Sequence, residues 1–171
     1  MSYYRFKMIL IGAGAVGKTS LVKRFVDGSF DTSYNVTIGV DFLTKDVEVN
    51  DKEVKLTIWD IGGQDRFKFM RNRFYDGAHG ALLIFDLSRA DTYHEIQKWL
   101  GEFRAFAGDE VPFILVGNKV DLVDDIGEVV ERNEAKSFAE GEGSIYIDTS
   151  AKTGENVEDA FQRLTKLMIK E

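Results

Sequence analysis

The chain has 171 residues, enough for one domain whose core needs no cross-links. With 22 basic and 29 acidic residues its net charge is −7, which argues against a nucleic-acid binder, because such proteins carry a basic face. There is no cysteine, which excludes disulfides, cysteine zinc sites, thiol nucleophiles and cysteine-linked lipids for this sequence.

In chain order, Phe6 to Ile11 is a short apolar run that stops at Gly12 and reads as a buried strand. Lys18 to Val26 has helical spacing through Leu21, Val22, Phe25 and Val26. Two alternating runs, Gly39 to Val49 and Glu53 to Trp59, flank Asn50-Asp51-Lys52 and read as an antiparallel hairpin. Apolar strands then recur at Ala81–Phe85, Phe113–Val116 and Ser144–Ile147. Helical patterns cover Thr92 to Phe106, Glu131 to Glu140 and Asn156 to Ile169. Pro112, the single proline, stands at a strand start, where a missing N–H does little harm. Continuous apolar strands spaced by amphipathic helices predict an α/β fold, a mainly parallel sheet covered on both faces, over residues 1–171. No apolar stretch is long enough to span a membrane, and Met1-Ser2-Tyr3-Tyr4 carries neither a myristoylation glycine nor a signal peptide, so a cytoplasmic location is expected. Asp124-Asp125 reads as a solvated loop, Trp99 as packing, and His79 and His94 as structural.

In such sheets ligands bind beyond the carboxyl ends of the strands. Gly12-Ala13-Gly14-Ala15-Val16-Gly17-Lys18-Thr19, followed by Ser20, fits the phosphate-loop pattern at that place. Glycines let the backbone curl so that N–H groups converge on a phosphate at the N-terminus of the next helix. Lys18 reaches the β- and γ-phosphates as a point charge, and the Thr19 hydroxyl suits Mg²⁺, which takes oxygen ligands. The pattern specifies a nucleoside triphosphate without saying which.

The base is specified further along. Asn118-Lys119-Val120-Asp121 follows the strand at Phe113. Guanine presents two adjacent donors, N1–H and the N2 amine, and the Asp121 carboxylate can accept both. Adenine lacks that pair and would leave a buried carboxylate unpaired. Asn118 is expected to tie this loop to the phosphate loop, and the Lys119 stem to cover the base. Ser150-Ala151-Lys152 follows the next strand, and the Ala151 N–H is placed to donate to guanine O6.

Taken together, these elements, with Thr37 and Asp60-Ile61-Gly62-Gly63 in order between them, resemble the Ras superfamily of small GTPases over essentially the whole chain. The resemblance implies a six-stranded, mainly parallel sheet with one antiparallel edge strand and helices on both faces. It also implies that Thr37 ligates Mg²⁺ through its hydroxyl, that Asp60 holds Mg²⁺ through water, and that the Gly63 N–H senses the γ-phosphate. Gln64 would orient the attacking water, and Phe30 would pack against guanine. The chain is most similar to the Rab branch, through Thr37 to Phe42, Tyr75 to Gly80 and Thr149 to Val157. Trp59-Asp60-Ile61-Gly62-Gly63-Gln64-Asp65 instead looks like the Arf branch, and two successive glycines loosen that segment. Such a mosaic suits an early-branching, archaeal type of relative. The chain ends at Glu171 without a prenylatable tail, so membrane association is expected only through a partner or a segment absent from this sequence.

The implied activity is a monomeric switch that hydrolyses GTP to GDP with Mg²⁺, with Lys18, Gly63 and Gln64 carrying the chemistry. No arginine in the sequence is obviously placed to assist from within, so an activating protein is expected to supply one. An exchange factor and effectors are expected as further partners, on a face marked by Phe42, Trp59 and Phe74. The alternatives are a nucleotide-binding interaction module with negligible hydrolysis and, against Asp121, an ATPase or nucleotide kinase.

Overall fold

The first strand, β1 (Tyr3–Ile11), shows how the molecule is built: its side chains alternate between two cores. Met8 and Leu10 point into one cluster with Leu21, Val22 and Phe25 of helix α1 (Lys18–Asp27), while Ile9 and Ile11 point into the other. A strand buried on both faces must be apolar, and β1 is so where it is buried, from Met8 to Ile11, whereas Arg5 and Lys7 fall in its less buried first half. The computed structural model describes residues 3–31, 40–63 and 68–169.

After α1 come β2 (Val40–Val49) and β3 (Lys52–Ile61), an antiparallel pair. Their turn residues Asn50 and Asp51 both have positive φ (51° and 62°), as a two-residue hairpin loop requires. The turn is therefore one residue shorter than the alternation suggested, and Lys52 already belongs to β3. Helix α2 (Lys68–Tyr75) leads to β4 (Gly80–Asp86), all seven residues of which are buried. β5 (Phe113–Asn118) and β6 (Tyr146–Thr149) complete a sheet ordered β2-β3-β1-β4-β5-β6. Every pairing is parallel except β2 with β3, so the antiparallel strand lies at the edge.

Helices cover both faces. α1 and the last helix, α7 (Val157–Met168), share one core, where the Phe25 and Phe161 rings stack 4.1 Å apart. The other core takes Tyr75 of α2, Phe103 of α4 (Ile96–Ala107) and Ala135 of α6 (Arg132–Gly141). Trp99, only 2% exposed, is packing, as its helical position suggested.

Two local expectations change. The helix expected from Thr92 is split into α3 (Ala90–His94) and α4, joined at Glu95. Within α3 the Thr92 hydroxyl takes the Asp86 N–H at 2.9 Å and donates to the Arg89 carbonyl at 2.7 Å, which ties this turn to the end of β4. Asp124 and Asp125, read as loop, lie in a single helical turn, α5 (Val123–Ile126), although both are exposed as expected. His79 is structural; its Nδ1 accepts the Lys7 N–H across 2.8 Å.

Candidate functional site

The carboxyl ends of β1, β3, β5 and β6 bring the singled-out residues to one edge of the sheet. β1 ends at Ile11 and the chain turns at once, with Gly12 at φ 152°, Ala15 at 64° and Gly17 at 100°. A Cβ on Gly12 would lie 2.1 Å from the Ile84 carbonyl of β4, so the loop leaves the sheet along a path only glycine allows. Gly17 is the N-cap of α1, Lys18 begins that helix and Ser20 lies in its first turn.

The loop's carbonyl oxygens are engaged one after another by side chains. Lys18 Nζ donates to Gly12 O at 2.9 Å and Ala13 O at 2.8 Å. Arg89 donates to Gly14 O at 3.3 Å, Lys119 to Ala15 O at 3.0 Å, and Asn118 Nδ2 to Val16 O at 2.9 Å. The C=O and N–H of a trans peptide point in opposite directions. Drawing the Gly14, Ala15 and Val16 carbonyls toward β5 and the Arg89 segment therefore turns the N–H groups of Ala15, Val16 and Gly17 the other way. Together with the N-terminus of α1, that is a fixed array of donors suited to an anion.

Lys18 is buried, and desolvation lowers its pKa to about 8, with Asp60 opposing the shift and Arg71 adding to it. The neighbouring Thr19 hydroxyl donates to Asp60 Oδ2, and Asp60 is itself buried at the end of β3. A hydroxyl and a carboxylate from separate elements, beside the phosphate loop, form an oxygen pair that fits a hard divalent cation also held by phosphate and water. Among the described residues there is no cluster of three or more His, Cys, Asp or Glu, so the protein by itself offers an open site rather than a cage.

Gly63 lies against the same loop. A Cβ there would be 2.3 Å from Gly12 O and 2.9 Å from Gly14 N, so β3 hands its first loop residues directly onto the phosphate loop. Thr37 and Gln64 lie outside the described residues.

On the other side of the loop stands the segment expected to read the base. Asn118 is 1% exposed and uses both ends of its amide: Nδ2 on Val16 O, and Oδ1 accepting from Thr149 Oγ1 at 3.0 Å. Lys119, at φ 70°, sets its ammonium 2.8 Å from Asp86 Oδ2 as well as on Ala15 O. Asp121 accepts from Ser150 Oγ at 2.7 Å, and Ser150 Oγ also takes the Thr153 N–H at 3.0 Å. Ala151 is buried, Lys152 is exposed, and Phe30 is exposed just past the end of α1.

Several contributors carry no sequence pattern. Arg89, Thr149 and Asp86 each hold a residue of the site, and Arg24 reaches it from α1 through Ala151 O at 2.7 Å. Only Thr149, beside Ser150, had a positional signal.

The three aromatic residues singled out on the switch face form a row. Ring centroids lie 5.4 Å apart for Phe42 and Trp59, and 5.3 Å for Trp59 and Phe74. Phe42 is 58% exposed, whereas Trp59 and Phe74 are half-buried against the core.

Phosphate loop, paired oxygens and an aspartate-bearing base loop on a six-stranded sheet define a nucleotide-binding α/β protein. Comparison with known proteins places it further. The Ras family model matches residues 7–170. The chain is 40% identical to the Ras-related protein Rab-2B of Dictyostelium discoideum over 165 residues, 96% of this chain and 81% of that one. It is 47% identical to the Ras-related protein RABA6b of Arabidopsis thaliana over 158 residues, 92% of this chain and 68% of that one. With the Ras-related protein Rab-1D of Dictyostelium discoideum it shares 44% identity over 91% of its own length and 76% of the relative's. The chain belongs to the Ras family, as a small GTPase of the Rab branch.

Proposed function

We propose that this chain binds GTP and GDP at the described site, hydrolyses GTP to GDP and phosphate, and changes partners between the two states. The observation that carries this reading is the continuity of the site. Asn118 joins Val16 of the phosphate loop to Thr149, and the next residue, Ser150, fixes Asp121. Base and phosphates are then held by one hydrogen-bonded unit.

In this reading Asp121 accepts the guanine N1–H and N2 amine, and the Ala151 N–H donates to O6. Lys119 covers the base from one side and Phe30 from the other, with Lys152 at the rim. Gly12 to Ser20 surround the phosphates, and Lys18 exchanges its two carbonyl acceptors for phosphate oxygens. Thr19 and Asp60, with Thr37, would hold Mg²⁺, which when bound neutralises phosphate charge. Gln64 orients a water for in-line attack on the γ-phosphorus, the bond to the β–γ bridging oxygen breaks, and GDP leaves. The Gly63 N–H and Thr37 sense the γ-phosphate, so its loss releases both segments.

Gln64→Leu is expected to leave nucleotide affinity within a few-fold and to slow single-turnover phosphate release by about tenfold or more, because only the water loses its partner. Release at the wild-type rate, alone and with an activating protein, would favour the interaction module without hydrolysis.

For partners, the proposal is that an exchange factor, an activating protein and effectors use the face around Phe42. A ring this exposed, tilted against Trp59 at the end of a row of three, marks an interaction surface better than a core. Phe42→Ala is expected to weaken binding of a GTP-dependent effector by about 30-fold or more while leaving GDP affinity and thermal midpoint unchanged. Phe74 is a poorer probe, since its truncation also removes core contact. Equal effector binding by Phe42→Ala, measured by titration calorimetry, would remove this face from the proposal.

A further inference from the structure

Arg24 lies on α1 and belongs to none of the recognised nucleotide-binding elements, yet its guanidinium makes hydrogen bonds to three carbonyls, two on the distant loop after β6 and one at the exit of its own helix. Nε donates to Ala151 O at 2.7 Å, Nη2 to Lys152 O, and Nη1 to Gly28 O at 3.1 Å. Its own carbonyl receives the Gly28 N–H at 3.0 Å, closing the last turn of α1. Its stem runs past Gly154, where a Cβ would sit 3.8 Å from Arg24 Cδ. Gly28, with φ 70°, is the left-handed cap from which the chain departs toward Phe30.

We infer that Arg24 is a positioning residue for guanine recognition. It locks the loop that presents the Ala151 N–H to the segment that presents Phe30, and so sets how long the nucleotide stays bound. The inference rests on the guanine-site reading above. Each of its bonds is charge-assisted, and the planar fork fixes three acceptors at once, which a single ammonium cannot do. A loop closed only by its own turn would sample orientations in which the Ala151 N–H misses O6. Anchoring two successive carbonyls of that loop removes this freedom. The same clamp joins the base loop to the exit of α1, so opening one releases the other.

The test is release of fluorescent methylanthraniloyl-GDP in Mg²⁺, followed by stopped flow for wild type, Arg24→Ala, Arg24→Lys and the surface control Arg163→Ala. Arg24→Ala is expected to accelerate release by about tenfold or more, Arg24→Lys to fall between it and wild type, and Arg163→Ala to match wild type. A second readout separates positioning from general loosening. Competition with 6-thioguanosine diphosphate, which keeps N1–H and the N2 amine but has sulfur, a weak acceptor, in place of O6, should show a smaller loss on Arg24→Ala than GDP does. Should Arg24→Ala fail to fold, Arg24→Gln, which keeps part of the stem and one donor group, carries the same comparison. Unchanged GDP release in these variants, or equal losses for GDP and the O6-less analogue, overturns the inference and leaves the guanine site standing. Failure of the wild type to bind the labelled GDP overturns the site reading instead.

Discussion

Asp121→Asn is expected to lower GTP and GDP affinity on the order of 10³-fold and to make xanthine nucleotides the preferred ligands. The aspartate offers two acceptor oxygens, one of which Ser150 Oγ holds at 2.7 Å, so the carboxylate is aimed before any base arrives. In the amide one oxygen becomes an NH₂ donor, which then faces the donor edge of guanine. A donor against a donor loses the bond and leaves both groups desolvated, a larger penalty than simple absence of the bond. Xanthine carries a carbonyl where guanine has its N2 amine, so it supplies the acceptor that the new NH₂ needs. Titration calorimetry with the diphosphates of guanosine and xanthosine checks this. Wild-type GDP affinity in the variant would show that Asp121 does not read the base.

Gly17→Ala is expected to weaken nucleotide binding by roughly two orders of magnitude or more while the sheet and both cores persist. The residue sits at φ 100°, where an L side chain costs about 1–2 kcal/mol. The added Cβ would also lie 2.3 Å from Asn118 Nδ2. Asn118 has nowhere to go, because it is 1% exposed and bonded at both ends, to Val16 O and to Thr149 Oγ1. Relief therefore breaks at least one buried hydrogen bond, at about 1–3 kcal/mol, and parts the phosphate loop from the base loop. Together these costs, about 2–5 kcal/mol, amount to roughly 30- to 4,000-fold in affinity. Gly101→Ala, in α4 and outside the site, is the internal control. A Cβ there meets nothing within 4 Å, so folding and GDP binding should stay near wild type. Circular dichroism and GDP titration of both variants distinguish a broken site from a broken fold.

What could be read from the sequence divides along physical lines. The phosphate loop was legible because its function demands backbone geometries that few residues adopt: Gly12 and Gly17 are glycine for reasons that spacing alone exposes. The strands were legible because burial on both faces forces uninterrupted apolar runs, as in β4. Asn118 and Asp121 stood out because a guanine edge would need particular acceptors just after a strand, and the structure ties Asn118 to Val16 and Thr149 and Asp121 to Ser150. The break at Glu95 was not legible, since no helix-breaking residue marks it. Nor were Arg24 and Arg89, whose surroundings exist only once segments 127 and 75 positions away close onto them. On sequence each is one more arginine on or beside a helix. The row of Phe42, Trp59 and Phe74 was half legible. The resemblance to the Rab branch marked the three rings as one face, but only packing separates the exposed Phe42 from its half-buried neighbours.

The central claim, that the site binds guanine nucleotides and no others, is tested most directly by the nucleotide that co-purifies with the protein. Denaturing the purified chain and separating the released small molecules by ion-exchange chromatography identifies it without mutation or label. GDP or GTP at close to one mole per mole of protein is the result expected from Asp121 and the clamped phosphate loop. ADP or ATP in that stoichiometry would contradict it.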